Sequence, residues 1–194
     1  MKERISMKAG NMLYPLPVVL VSCGDETTGL NIITIAWAGT ICTNPPMLSI
    51  SVRPERHSYE LIKKTGTFVV NLPLAEMSNE VDLCGVKSGR NINKFETCRF
   101  TPSQSQHIDT PGISECPVSI ECIVKQEIHL GSHIMFISEV VGVSAWKSLL
   151  NTKTNSFEIG RLPLLTYSHG GYFTLGMQTG HFGFSVKRKG KTKK

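Results

Sequence analysis

The residues with the most chemistry to offer lie in one stretch, Ser49-Ile-Ser-Val-Arg-Pro-Glu-Arg-His-Ser-Tyr59. Arg53 and Arg56 flank a proline turn, and His57 and Ser58 follow where a helix is predicted, Ser58 to Lys64. Ser58 is a suitable N-cap, and Glu60 suits the positive end of the helix dipole. Free backbone N–H groups, a hydroxyl and two guanidinium forks converging at one point are the chemistry of a phosphate site. A plain strand–turn–helix with two solvated arginines satisfies the same pattern. Ser88-Gly89-Arg90, with Lys94 later in the same loop, offers a second cluster of this kind. Glycine there lets the backbone approach an anion closely, and arginine supplies a forked donor. The alternative for this loop is a simple turn.

These residues need elements to position them, and the strand signals dominate. Met47 to Val52 alternates apolar and polar residues and delivers Arg53 at its end. Leu16 to Cys23 is an apolar, valine-rich run closed by Gly24-Asp25, and Leu30 to Ala38 reads as a second strand, with a hairpin across Gly24–Gly29. Asn44-Pro45-Pro46 breaks the chain before the third strand. Thr67 to Leu72 reads as a strand, and Ala75 to Leu83 as a helix with Met77, Val81 and Cys84 on one face. Residues 85–117 are rich in loop formers. Val118, Ile120, Cys122 and Val124 alternate with Ser119, Glu121, Ile123 and Lys125, which predicts one buried face. Ile134 to Val143 is more continuously apolar, as a central strand is, and pairs with it about the Leu130–Ser132 turn. Leu149 to Leu164 reads as a surface connection, and Leu165 to Tyr167 as a last short strand before Gly170-Gly171. Many strands and few short helices argue for a mainly β antiparallel barrel over a doubly wound sheet.

Composition narrows the function classes. A chain of 194 residues with 40% hydrophobic and 19% charged residues suits one ordinary globular domain. No apolar run approaches the roughly 20 residues that span a bilayer. The start, Met1-Lys-Glu-Arg-Ile-Ser6, has no apolar core behind it, so a cytoplasmic protein is expected, with no membrane partner. The six cysteines include no C-x-x-C pair, and no histidines stand at zinc-ligand spacing. Free thiols and no metal are therefore expected. Much of the net charge of +6 comes from residues 187–194, read as a solvated, disordered basic tail. The body lacks a basic stripe interleaved with aromatics, so nucleic acid is not an expected partner. No Gly-x-Gly-x-x-Gly element occurs, so any nicotinamide has no dedicated dinucleotide fold.

Taken in order, Asn31-x-x-Thr34-x-Ala36-Trp37, Thr43-Asn44-Pro45-Pro46, the Arg53–Ser58 turn, Phe68-Val-Val-Asn71-Leu-Pro73, Cys84-Gly85, Ser88-Gly89-Arg90, Lys94-Phe95 and Gly131-Ser132-His133 form a set. It resembles the flavin reductase-like family of FMN-binding split barrels, and most of all its flavoredoxin branch. The resemblance covers roughly residues 9–186. It implies a split-barrel homodimer with one FMN per subunit near the interface, and an NADH- or NADPH-dependent oxidoreductase working by hydride transfer to the flavin ring. It also implies the site. Asn31, Thr34, Ala36 and Trp37 would meet the isoalloxazine ring, although Trp37 equally suits a strand core. Cys42, Thr43 and Asn44 would bring backbone amides near the flavin. Arg53, His57 and Ser58 would hold the phosphate with Arg56 beside them, Ser51 and Val52 would add to the cofactor site, and Ser88, Gly89, Arg90 and Lys94 would form a second clamp. Lys94 could instead reach a flavin oxygen, and Tyr172 would close the site from the C-terminal side. His133 is the one candidate for a direct catalytic role, at the flavin edge or the nicotinamide. Reductase relatives carry Gly-Asp-His where this chain has Gly131-Ser132-His133. That departure keeps a second reading open, an electron carrier served by a partner electron-transfer protein. A third is a barrel that has lost its FMN.

Overall fold

A computed structural model describes residues 2–186. The chain passes through β1 (Leu16–Pro17), β2 (Val19–Cys23), β3 (Asn31–Ile35), β4 (Ala38–Cys42) and β5 (Met47–Val52) before its first helix, α1 (His57–Thr65). Next come β6 (Thr67–Leu72), a 3-10 turn at Ala75–Met77, α2 (Ser78–Val86) and the short α3 (Lys94–Thr97). The two-residue strands β7 (Pro102–Ser103) and β8 (Gly112–Ile113) lead into the two long ones, β9 (Val118–His129) and β10 (Ile134–Ala145). Two hairpins follow, β11 (Leu150–Asn151) with β12 (Ser156–Phe157), then β13 (Leu165–Ser168) with β14 (Gly171–Thr174), and a 3-10 turn at Phe184–Val186 comes after them.

Seven strands make one antiparallel sheet in the order β3-β2-β6-β9-β10-β5-β4. Its two edges, β3 and β4, are consecutive in the chain and separated only by Ala36 and Trp37. The sheet therefore curls until its edges face one another, a split barrel with a few short helices. Inside the curl, Val19, Val21, Ile33, Ile50, Phe68 and Phe136 form the inner core. The helix α1 plugs this core with Leu61 and Ile62, which fixes its first turn, His57 and Ser58, at the barrel end. Gly66 stops α1 in the left-handed region (φ 70°), its N–H bonded back to the Ile62 carbonyl.

A second core lies on the outer face, where Leu20 and Ile32 meet Val81, Cys84, Phe95 and Ile113 from α2, α3 and the segment beyond. β2 thus serves both cores, and every residue in it is buried. This explains why its sequence reads as an unbroken apolar run.

Several elements differ from the sequence reading. The run from Leu16 breaks at Val18, because β1 leaves the barrel to pair with β13. The strand expected to reach Ala38 ends at Ile35, and Ala38 opens β4, which the sequence did not reveal. Ser119 and Glu121 were expected to face solvent, yet both are buried. The segment before β9 docks over them: Glu121 accepts from the amides of Gln106 (3.0 Å) and His107 (2.9 Å). The Leu149–Leu164 connection carries the β11–β12 hairpin. All six cysteines are free. Among the described residues no helix is long and apolar enough to cross a membrane. The basic tail, residues 187–194, lies outside the described residues.

Asn71 joins these layers. Its side-chain amide donates to the Leu20 carbonyl and Ser22 Oγ, both at 3.0 Å. Its carbonyl oxygen accepts from the Ile113 amide (3.0 Å) and Ser119 Oγ (2.7 Å). Replacement by alanine strands a buried amide and carbonyl together. Asn71→Ala should lower unfolding free energy by about 2–4 kcal/mol in urea denaturation. A loss below about 0.5 kcal/mol would show that the network carries no weight.

Candidate functional site

Four pieces of chain meet at the end of the barrel around a cavity of about 310 Å³. β3 supplies Asn31, the end of β5 supplies Arg53, the start of α1 supplies Arg56, His57 and Ser58, and the α2–α3 connection with the first residue of α3 supplies Lys87, Ser88, Gly89 and Lys94. Asn31 shares the inward face of Ile33 and Ile35 but stands at the rim. Its Nδ2 donates to Ser58 Oγ at 2.8 Å, with both groups buried. Ser58 is therefore not the N-cap that the sequence suggested. Arg56 occupies that position and makes no side-chain cap bond. Gly89 packs directly on Asn31: a Cβ there would sit 2.1 Å from Asn31 Oδ1. Only glycine lets the loop come this close.

His57 lines the cavity. Its Nδ1 is buried and has no hydrogen-bond partner among the described residues, with the Glu60 carboxylate at 3.8 Å. Such an atom costs free energy unless a ligand or water meets it. Arg53, Arg56, Lys87 and Lys94 line the cavity against a single acid, Glu55, so its field favours an anion.

Lys94 is the departure from expectation. It opens α3 instead of lying in the loop, and it is 3% exposed. Its Nζ donates to the carbonyls of Ile32 and Cys84, each at 2.7 Å, and no carboxylate pairs with it among the described residues. Burial pulls its pKa below the ordinary lysine range, and the nearby Arg56 charge acts in the same direction. Arg56 is anchored on the Gly85 carbonyl at 2.9 Å. Arg90 is not among the lining residues and is engaged by the Glu55 carbonyl (3.0 Å) and the Glu60 carboxylate (2.9 Å).

The remaining candidates fall into two groups. Trp37, 43% exposed, sits at the corner between β3 and β4, and its carbonyl accepts from the Ser51 amide at 2.9 Å. Val52, paired across the sheet with Ile134, brings His133 to the same strand end. The Trp37 and His133 rings lie within 15° of parallel, centroids 6.1 Å apart, and Ser132 Oγ lies 2.9 Å from His133 Nδ1. Ala36 is half-buried beside them, while the Val52 side chain belongs to the inner core and leaves only its backbone at the site. Cys42 ends β4, and Thr43 and Asn44 form an exposed turn.

Two candidates point elsewhere. Thr34 Oγ1 donates to the Val81 carbonyl and so ties β3 to α2. Tyr172 bonds Asp82 on α2 at 3.2 Å, and burial pushes its phenol up to about 12. Neither lines the cavity. Lys87 and Glu55 do, and the sequence reading passed over both. The signal for Lys87 was its place next to Ser88-Gly89.

Residues 11–176 match the model of the flavin reductase like domain. An uncharacterized protein of Archaeoglobus fulgidus is 33% identical over 132 residues, 68% of this chain and 73% of that one. Among solved structures, the flavoredoxin of Desulfovibrio vulgaris (Miyazaki F) superposes with a TM-score of 0.87 at 28% identity, covering 95% of this chain and all (100%) of that one. The flavoredoxin of Methanosarcina acetivorans gives 0.85 at 26% identity, covering 96% and 100%.

Proposed function

The chain belongs to the flavin reductase-like family, and on that premise we propose that it binds FMN and works as an NADH- or NADPH-dependent flavin oxidoreductase. The observation that carries this reading is the cavity: four cations, His57 and Ser58 at the start of α1, and a glycine pressed against Asn31. This donor set fits a phosphate monoester. Arg53, His57 and Ser58 would hold the phosphate, the Ser88–Gly89 backbone would close on it, and Lys94 would hold its charge at the base of the cavity. The volume is at the low end for ligand sites, so a molecule of this size extends beyond it, and we assign its ring to Trp37. When bound, FMN supplies two-electron chemistry, with the nicotinamide docked transiently over its ring.

The chain's own work is then binding and alignment. Trp37 would cover one side of the ring and exclude water there. His133, parallel to the indole and tied to Ser132, acts as a positioning residue that holds Trp37. Its neighbour is the Ser132 hydroxyl where reductase relatives carry an aspartate, so an electron carrier fed by a partner protein is the competing reading. Exposed apolar side chains lie on and beside the edge strand (Trp37, Ile41) and along the C-terminal segment (Leu175, Met177, Phe182). A second copy would cover such surface and add the wall that the open site lacks.

Three outcomes test the proposal. Arg53→Ala combined with Ser58→Ala should weaken FMN binding about 10- to 100-fold while leaving riboflavin binding nearly unchanged, since charge-assisted hydrogen bonds to the phosphate are what is lost. Trp37→Ala should weaken both flavins alike. Equal losses for both flavins in the first variant would remove the phosphate assignment. In anaerobic stopped flow, NADH or NADPH should bleach the bound flavin, with His133→Ala costing a modest factor because alignment dominates this step. Reduction by dithionite or a reduced ferredoxin but by neither nicotinamide would hand the function to the carrier reading. Sedimentation should give a dimer, and a monomer holding one FMN per chain would refute the shared wall.

A further inference from the structure

Cys84 and Cys98 lie with their sulfur atoms 3.7 Å apart in the outer core. Cys84 stands in the last turn of α2, 1% exposed, and Cys98 is the C-cap of α3, 9% exposed. None of the other four cysteines has a sulfur partner at this range among the described residues. The chain between the pair, residues 85–97, is the segment that brings Lys87, Ser88, Gly89 and Lys94 to the cavity. The end of α2 also anchors two of the cavity's cations. The Cys84 carbonyl accepts from Lys94 Nζ, and the Gly85 carbonyl accepts from Arg56.

We propose that Cys84 and Cys98 form a reversible disulfide that closes this segment into a ring and fixes the cavity wall. A disulfide needs sulfur atoms about 2.05 Å apart, within reach of a rotamer change at Cys98, which sits at a helix end. The oxidant is a hydroperoxide, hydrogen peroxide in the simplest case. Cys98, the less buried sulfur, attacks a peroxide oxygen as its thiolate. An S–O bond forms, the O–O bond breaks, and the departing hydroxide takes up the thiol proton as water. Cys84 sulfur then attacks the sulfenic sulfur of Cys98: the S–S bond forms, the S–O bond breaks, and the leaving hydroxide carries off the Cys84 proton as a second water. Two thiols lose two electrons and two protons, and one peroxide becomes two waters. An external dithiol reverses the change. Burial pushes both thiols above the ordinary range, so the reaction is slow at neutral pH and answers sustained exposure rather than a brief pulse. Closing the ring removes open conformations of residues 85–97 and should slow ligand release from the cavity.

The test uses the full chain, reduced or treated with hydrogen peroxide, beside Cys98→Ser and Cys84→Ser. Peptide mass spectrometry should find the 84–98 cross-link in the oxidised protein only, reversible by dithiothreitol and absent from both variants. Amide hydrogen exchange at residues 87–93 should slow on oxidation in the parent and stay unchanged in Cys98→Ser. Absence of the cross-link, or a cross-link with unaltered exchange, overturns the inference. A third arm rests on the FMN reading: FMN should leave the oxidised protein roughly tenfold more slowly, a fraction of what ring closure at this length contributes. An unchanged release rate overturns control of the cavity. A protein that binds no FMN in either state refutes the FMN reading instead, and the first two arms still decide the cross-link.

Discussion

Lys94 carries a positive charge into the boundary between the barrel and its helical cover, where two carbonyls meet it and, among the described residues, no carboxylate does. An ammonium in such a place is costly unless something compensates it. The compensation available within the fold is geometric: the Ile32 carbonyl belongs to β3, the Cys84 carbonyl to α2, and Lys94 itself opens α3. One side chain thus holds three elements at fixed distance. The cavity between them inherits its shape from that arrangement and its appetite for an anion from the charge left over.

The barrel makes this possible through its seam. Because β3 and β4 are both edges and neighbours in the chain, the corner at Ala36-Trp37 falls where the sheet fails to close. Asn31 enters at the opposite end of β3, where the barrel's inward face runs out of apolar partners and turns polar. The α1 helix completes the scheme. Its apolar residues Leu61 and Ile62 are held in the inner core, so its first turn has no freedom to drift from the rim. Packing deep in the barrel is what gives His57 and Ser58 their positions.

The strands with clean local patterns were legible in the sequence. Met47–Val52 and Thr67–Leu72 have the bounds that alternation and apolar runs suggested. The β4 strand was not, because Ala38-Gly-Thr-Ile-Cys42 offers one large apolar residue and takes its order from β5 alongside. Ser119 and Glu121 look like solvent-facing residues until a segment docks on them and gives them partners. The site was legible as a set of residue types gathered near Arg53 and Ser88-Gly89. The roles within it were not, since Ser58 answers to Asn31, distant in sequence, and Arg90 to Glu60. The resemblance to a family supplied the fold, while the allocation of each polar group had to come from distances.

That allocation changes which charges matter. Sequence reading stresses the arginines as the anion's partners, but Arg90 is spent on Glu60, and Arg53 lies 3.4 Å from Glu55. Arg56 and Lys94 are held by neutral carbonyls instead. A carbonyl fixes a cation's position without cancelling its charge, whereas a carboxylate does both. Arg56, Lys87 and Lys94 thus line the cavity with no carboxylate pairing among the described residues, and the two cations anchored on backbone repel one another. An anion seated between them relieves that repulsion and the desolvation of Lys94 in the same step. On the proposed reading, affinity at this site would be in part the release of a cost that the fold already bears.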